Sequence, residues 1–308
     1  MQLTVGPIQG FWDAGLWSAF YERLAETPGI SRVVLGELVC SKRLPFYQTR
    51  LPDAVAQLLA GGKDVALTSL ALVTPLKRER RMAAELAAME LEVEVNDLTM
   101  LAYLPEGARF SVGPLVNVYN EGTLAVLQRR GAVGVCLPPE LSAASVQRIC
   151  AATDMPVEVW GWGRLPLAIS GRCYHARYHD RAKDQCQFVC AEDPDGLAVD
   201  TLDDQQFLAI NGLQTLSGQC ANMAHHLPSL RQAGVASLRL SPQTTGFFEV
   251  IDLFADLTSG RIDAEEFCAK ALPHAPGGAF CDGFLDGPTG VAWSGARDAV
   301  RTQPAGTP

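Results

Sequence analysis

Short apolar runs alternate with longer amphipathic stretches through the first half of this 308-residue chain, and that rhythm leaves few folds open. LTVGPI (3–8) precedes a helical pattern at 14–25, RVVLGE (32–37) a helix at 52–59, and DVALTSL (64–70) a helix at 75–89. LEVEVND (91–97) leads to a short helical or turn segment, and ARFSVGP (108–114) to a helix at 122–130. AVGVCLP (132–138) precedes a helix at 142–153, and PVEVWGWG (156–163) follows. Strand-like runs of this length separated by helices indicate βα units around a parallel sheet. A late run, ASLRLSP (236–242), is followed by a helix at 247–259, which brings the units to seven or eight. That number predicts a TIM-type (β/α) barrel, irregular or open variants included, over a doubly wound sheet. No Gly-x-Gly-x-x-Gly follows the first strand, so the dinucleotide fingerprint is absent.

The rhythm breaks after the seventh unit, where about 171–200 reads as a polar, cysteine-bearing insertion. One domain over 1–290 is expected, with a loosely ordered tail at 291–308 rich in Gly, Pro and Ala. The 48% hydrophobic content is ample for one core. A net charge of −9 argues against nucleic acid, and the basic group from Lys77 to Arg81 reads as a solvated helix start. The N-terminal segment lacks a signal-peptide pattern and no run of about 18 apolar residues occurs, so a cytoplasmic protein without a membrane span is expected.

Nine cysteines, an odd number in a long chain of this kind, make a disulfide framework a poor reading and leave metal ligation or buried thiols. Three of them, Cys173, Cys186 and Cys190, share one polar stretch with the spacing Cys-x12-Cys-x3-Cys. In a barrel, chemistry lies at the C-terminal ends of the strands. Cys40, just past the second strand, therefore falls on the same face as the insertion and is the candidate fourth ligand. Four thiolates suit an iron–sulfur cluster or a zinc ion. The tight Cys-x2-Cys pairs of a zinc ribbon are missing, which favours a [4Fe–4S] cluster modestly, with zinc as the alternative. Lys42 and Arg43 would offset cluster charge. His175 and His179, four apart, form with Cys173 a lesser, rival zinc site.

Other polar residues at strand ends are Glu37, Asn96 with Asp97, and Asn117 with Tyr119 and Asn120. Among them Glu37, Asn96, Asn117 and Asn120 are the candidate substrate-pocket residues. Cys136, Cys150, Cys220, Cys268 and Cys281 read as core thiols, His225 and His226 as loop residues, and Trp160, Trp162 and Phe188 as core, with the lining of an apolar pocket for an aromatic ligand as the alternative. No Gly-x-Ser-x-Gly or His-Glu-x-x-His occurs, so no catalytic residue is assigned.

The stretch from Gly161 or Gly163 to Ser170-Gly171-Arg172-Cys173 resembles the signature of the peptidase U32 family. LGELVCSKR around Cys40, GPLVNVYNEGT at 113–123, CQFVC at 186–190, VDTLDDQQFLAINGLQTLSG at 199–218 and LRLSPQ at 238–243 extend the resemblance over nearly the whole chain. It is narrowest to the branch serving anaerobic ubiquinone biosynthesis. The resemblance implies a [4Fe–4S] cluster on Cys40, Cys173, Cys186 and Cys190, and oxygen-independent hydroxylation of the ubiquinone ring. It further implies a second, cluster-bearing U32 subunit as heterodimer partner, a lipid-binding accessory protein, a ubiquinone precursor as substrate and prephenate as oxygen donor. Relatives often carry a cysteine a few residues before the signature. Pro166 occupies that region here, which sets the chain apart from hydrolase-named members and argues against peptidase activity. Two other functions stay open on the residues alone: a non-catalytic barrel whose metal only orders the insertion, and a U32 hydrolase.

Overall fold

A computed structural model describes residues 1–287 and 289–295. Eight strands, all parallel, close into a barrel: β1 (Gln2–Val5), β2 (Arg32–Leu35), β3 (Asp64–Thr68), β4 (Glu92–Val95), β5 (Phe110–Val112), β6 (Ala132–Cys136), β7 (Val157–Gly163) and, much later, Ser237–Leu240. The ring closes because this last strand pairs in parallel with both β1 (Thr4 opposite Arg239) and β7 (Val159 opposite Leu238). The expected TIM-type (β/α) barrel is therefore the fold, and it is closed. The helices α1 (Ala14–Glu26), α2 (Leu51–Ala60), α3 (Lys77–Ala87), α4 (Glu121–Arg129) and α5 (Ala143–Ala151) follow β1, β2, β3, β5 and β6. After β4 the chain makes only a 3-10 turn, Leu98–Ala102.

Runs such as RVVL and DVALT contain little alternation because strands of a parallel sheet are buried on both faces. β4 is the exception. Its EVEV pattern puts Glu92 and Glu94 on the face shared with Arg32 and Arg239, inside the barrel. Arg239 there pairs with both Glu94 and Glu158, and all three are buried. Asp13, Asn120 and Ser142 accept hydrogen bonds from first-turn N–H groups of α1, α4 and α5, which fixes where those helices start.

The insertion is larger than 171–200. β8 (Pro166–Ile169) leaves the end of β7, and helix α6 (Tyr174–Tyr178) follows. Next come β9 (Leu197–Asp200), β10 (Gln206–Asn211) and β11 (Gln214–Ser217). These four strands form a separate antiparallel sheet in the order β8-β11-β10-β9. The apolar runs after residue 199 thus belong to the insertion and not to the barrel. A short β12 (Cys220–Asn222) returns antiparallel along β7. Then follow α7 (Leu227–Ala233), the closing strand β13 (Ser237–Leu240), α8 (Phe247–Ser259), α9 (Ala264–Ala271), β14 (Phe280–Cys281) and α10 (Gly283–Asp286).

Of the tail expected at 291–308, Trp293 packs on Phe280 and His225, and Ser294 N–H donates to Asp282. Residues 296–308 lie outside the described residues.

Candidate metal centre

The loop after β2 and the insertion meet over the C-terminal end of the barrel. Cys40, Cys173, Cys186 and Cys190 line one cavity there, with Lys42, Arg43, Lys183, Phe188, Val189, Gly212 and Leu213 around them. All four are free thiols. Cys40 comes from the barrel and the other three from the insertion, so the cavity exists only where the two parts touch.

Each thiol is placed by identifiable contacts. The Glu37 carboxylate accepts from the backbone N–H of Val39 (2.9 Å) and Cys40 (2.8 Å), and from the Tyr47 hydroxyl. That triple bond set locks the turn bearing Cys40. Lys42 Nζ donates to the Lys183 carbonyl at 2.6 Å and ties the same turn to the insertion. Cys173 is the N-cap of α6: its sulfur accepts from the Ala176 N–H at 3.4 Å, and its S–H donates to the Gly212 carbonyl at 3.3 Å. Cys186 and Cys190 flank Gln187 and Phe188, both at positive φ (49° and 56°). This left-handed turn, costly for residues with a Cβ, reverses the chain so that two cysteines four apart reach one cavity. Asn211 Nδ2 donates to the Cys190 carbonyl at 2.9 Å and closes the turn from below. Gly212, at φ 67°, must be glycine on two counts, because a Cβ would run into the Arg43 guanidinium.

Arg43 is only 1% exposed and sits under the cysteines. Its Nη1 donates to the Gln9 carbonyl at 3.1 Å and its Nη2 to Asn211, while Nε is left without a partner. Burial disfavours its charge, but Glu37, Cys190 and Cys40 more than offset this and keep it a cation. Burial pushes the thiols of Cys40, Cys173 and Cys190 up, with Arg43 pulling each the other way. Cys40, Cys173 and Cys190 thus favour the neutral thiol, and a cation that takes them as thiolates must displace their protons.

The donor chemistry fits a soft metal group. Four cysteines line one space, its apolar walls are Phe188, Val189 and Leu213, and buried or anchored cations stand behind them. Among the described residues no three of these sulfurs lie within 4.8 Å of one another. Four thiolates on one zinc ion, at about 2.3 Å from it, would sit about 3.8 Å apart.

Beside this cavity, across the loop 36–44, opens a cleft of about 950 Å³ including its mouth. It lies between the ends of β2 and β3 and the helices α2 and α3. Leu67, Leu70, Met82, Leu86, Met89 and Met100 give it an apolar lining, and Glu37, Ser69 and Glu79 supply its polar groups. Glu37, one of the four residues expected at a substrate pocket, therefore touches the cleft with its side chain while its carboxylate holds the Cys40 turn. The other three lie elsewhere. Asn96 is 1% exposed and bonded to Thr68 and Glu94 inside the barrel. Asn120 is used as the α4 cap, and Asn117, at φ 60°, ends a 3-10 turn facing Tyr119.

The remaining expectations divide simply. Cys136, Cys220 and Cys281 are buried core thiols, and Trp160 and Trp162 are core. Phe188 stacks edge-on against Phe46 beside the cysteines. His226 pairs with Asp282 at 2.8 Å, and Cys268 lies 3.5 Å from His225. His175 and His179 do share a face, but their third neighbour is Asp193 and not Cys173. Asp193, Asn211, Lys183 and the cleft were not anticipated. For Asn211-Gly212 a signal existed, since Asn-Gly between two apolar runs marks a tight hairpin.

The model of peptidase family U32 matches residues 19–271. The chain belongs to peptidase family U32. Among solved structures, this U32 chain is similar to the N-acetylneuraminate lyase (sialic acid aldolase) of Aliivibrio salmonicida, at 9% identity and a TM-score of 0.45 over 88% of this chain and 79% of that one. It is also similar to the D-psicose 3-epimerase of Clostridium cellulolyticum H10, at 11% identity and a TM-score of 0.30 over 88% and 96%. No described helix of the U32 chain is long and apolar enough to cross a membrane.

Proposed function

We propose that this U32 protein is the iron–sulfur subunit of an oxygen-independent hydroxylase acting on the ubiquinone ring, of the kind represented by the ubiquinone biosynthesis protein UbiV. On this reading it pairs with a UbiU-like U32 subunit and is served by a UbiT-like lipid-binding protein, with prephenate as oxygen donor. The observation that carries the reading is the convergence of Cys40 with Cys173, Cys186 and Cys190 on one cavity. The spread of the sulfurs supports a polynuclear group, in which each thiolate takes its own iron, over a single zinc ion.

A [4Fe–4S] group held there would supply one-electron transfer. The chain's own residues do the rest. Cys40, Cys173, Cys186 and Cys190 would ligate it, Arg43 and Lys42 would balance its charge, and Glu37 would keep the Cys40 turn in register. The Met-rich cleft offers an apolar berth next to the centre, with the lining usual for small-molecule sites, and suits a ubiquinone precursor.

The test is anaerobic purification with iron, sulfide and EPR measurement. About four irons per chain are expected, lost in Cys186→Ala. A colourless, zinc-loaded protein with undiminished ubiquinone formation in anaerobically grown cells would sink the proposal. A metal that only orders the insertion gives a different result: its loss destabilises the fold but leaves ubiquinone levels intact.

A further inference from the structure

Behind the cysteines, the insertion holds a second cluster of ligands of different chemistry. His175 lies in α6 and His179 caps its C-terminus one turn on, their rings stacked with centroids 5.5 Å apart. Asp193 follows the turn bearing Cys190, and its Oδ2 lies 3.2 Å from His175 Nε2. One nitrogen of each ring and one oxygen of the carboxylate all fall within 4.8 Å of one another.

His175 is fully buried, and neither ring nitrogen has an aligned hydrogen-bond partner. The Asp193 contact is close but misdirected for a hydrogen bond. His179 Nε2 is likewise buried and unpartnered. Buried polar atoms are nearly always satisfied, so three orphaned imidazole nitrogens around one carboxylate call for a missing partner. A single cation can take one nitrogen of each ring together with the carboxylate, leaving the other His175 nitrogen to carry its proton toward the backbone. The Ile210 carbonyl faces the His175 ring, the kind of outer contact that orients a metal-bound imidazole. Asp193 is itself held, because Asn211 Nδ2 donates to its carbonyl at 2.7 Å.

The geometry points to a mononuclear site for a borderline divalent cation, zinc foremost, on His175, His179 and Asp193. Two imidazoles and a carboxylate leave a fourth tetrahedral position for water. His179 is half-buried, and its ring would turn from its stack on His175 for the two lone pairs to converge on one ion. The ion would pin α6, which starts at Cys173, to the turn that ends at Cys190. The site is separate from the thiol cavity and stands whether or not the thiols carry iron.

The test uses the full-length protein, purified without air, stripped of loose metal and titrated with Zn2+. Wild type should retain about one zinc per chain beyond its iron, with Co2+ giving visible bands of nitrogen and oxygen coordination without thiolate charge transfer. His179→Ala and Asp193→Asn should each lose this zinc while keeping iron, sulfide and circular dichroism. Cys186→Ala should lose the iron and keep the zinc. The proposal falls if wild type binds no zinc. It also falls if the zinc survives in both His179→Ala and Asp193→Asn, or disappears in Cys186→Ala together with the iron.

Discussion

The barrel and the insertion are held together by different means. The barrel packs a continuous apolar core from Leu3 to Leu285, and its strands are buried on both faces. Where the insertion meets the loop after β2 lies a small separate apolar cluster, in which Leu38, Val39, Cys173, Ala176 and Leu213 are buried. Around that cluster the insertion sets free thiols and orphaned imidazoles, against an arginine of the β2 loop under 2% exposed. It also carries Asp180, Gln187, Phe188 and Asp204 in left-handed backbone. The barrel is thus held by its apolar core and an ion network whose members satisfy one another, while the insertion gathers buried groups that lack internal partners. A region that stores unfavourable backbone and unsatisfied donors is one whose function lies in what it binds.

Breaking the barrel should cost most. Arg239→Ala leaves Glu94 and Glu158 buried without their cation, and loss of one partner from such a network costs about 3–5 kcal/mol. Chemical denaturation should show this loss with any metal content of the cysteine cavity per folded chain unchanged. An unshifted midpoint would mean that the interior network contributes nothing.

Gly212→Ala should act on the insertion instead. The strained φ and the clash with Arg43 together should cost about 1–3 kcal/mol, seen as faster proteolysis within 166–217 while the barrel fragment survives. Equal cleavage of both regions would erase the distinction drawn between them.

Acid should find the barrel first. Burial would raise the Glu158 carboxyl, yet Arg239 and hydrogen bonds from Thr4 and Cys136 outweigh it and hold it below the usual carboxylate range. Its stabilisation is complete above the ordinary carboxylate pKa and is lost as pH falls through the lower folded value. Glu158→Gln should therefore be less stable than wild type at neutral pH and approach it as the pH drops. Parallel pH profiles for the two proteins would contradict this.

The smallest effect belongs to Asn120. Removing the α4 cap in Asn120→Ala should cost about 1 kcal/mol in thermal unfolding, with no change in metal content. A loss of iron would restore Asn120 to the functional site.

The same contrast explains what the sequence made legible. Strand and helix runs of the barrel repeat a periodic burial pattern, so β1 to β7 and helices α1 to α5 fall where the apolar spacing places them. Cys40 could be joined to the other cysteines because strand ends of a barrel share one face. The β8–β11 sheet was obscured because its strands are short and partly exposed, with Phe207 and Leu202 pointing outward. Glu37 looked like a pocket residue, and nothing local reveals that its carboxylate is spent on the backbone of Val39 and Cys40. Asp193 reaches the histidines only through an irregular turn, which leaves no spacing to read. Glu94 was hidden in an ordinary alternation, since a charged residue facing a barrel interior looks in sequence like one facing water.

One consequence concerns the topology of the chain rather than its chemistry. Cys40 and Cys173 are separated by about 130 residues, nearly the whole first run of barrel strands. A group that bonds both closes a loop of that length, and by the cross-link relation this removes about 5 kcal/mol of entropy from the unfolded ensemble. The four thiols would then act as a clasp. Filling the site would fasten the insertion to the loop after β2, and emptying it would release that tie without undoing the barrel.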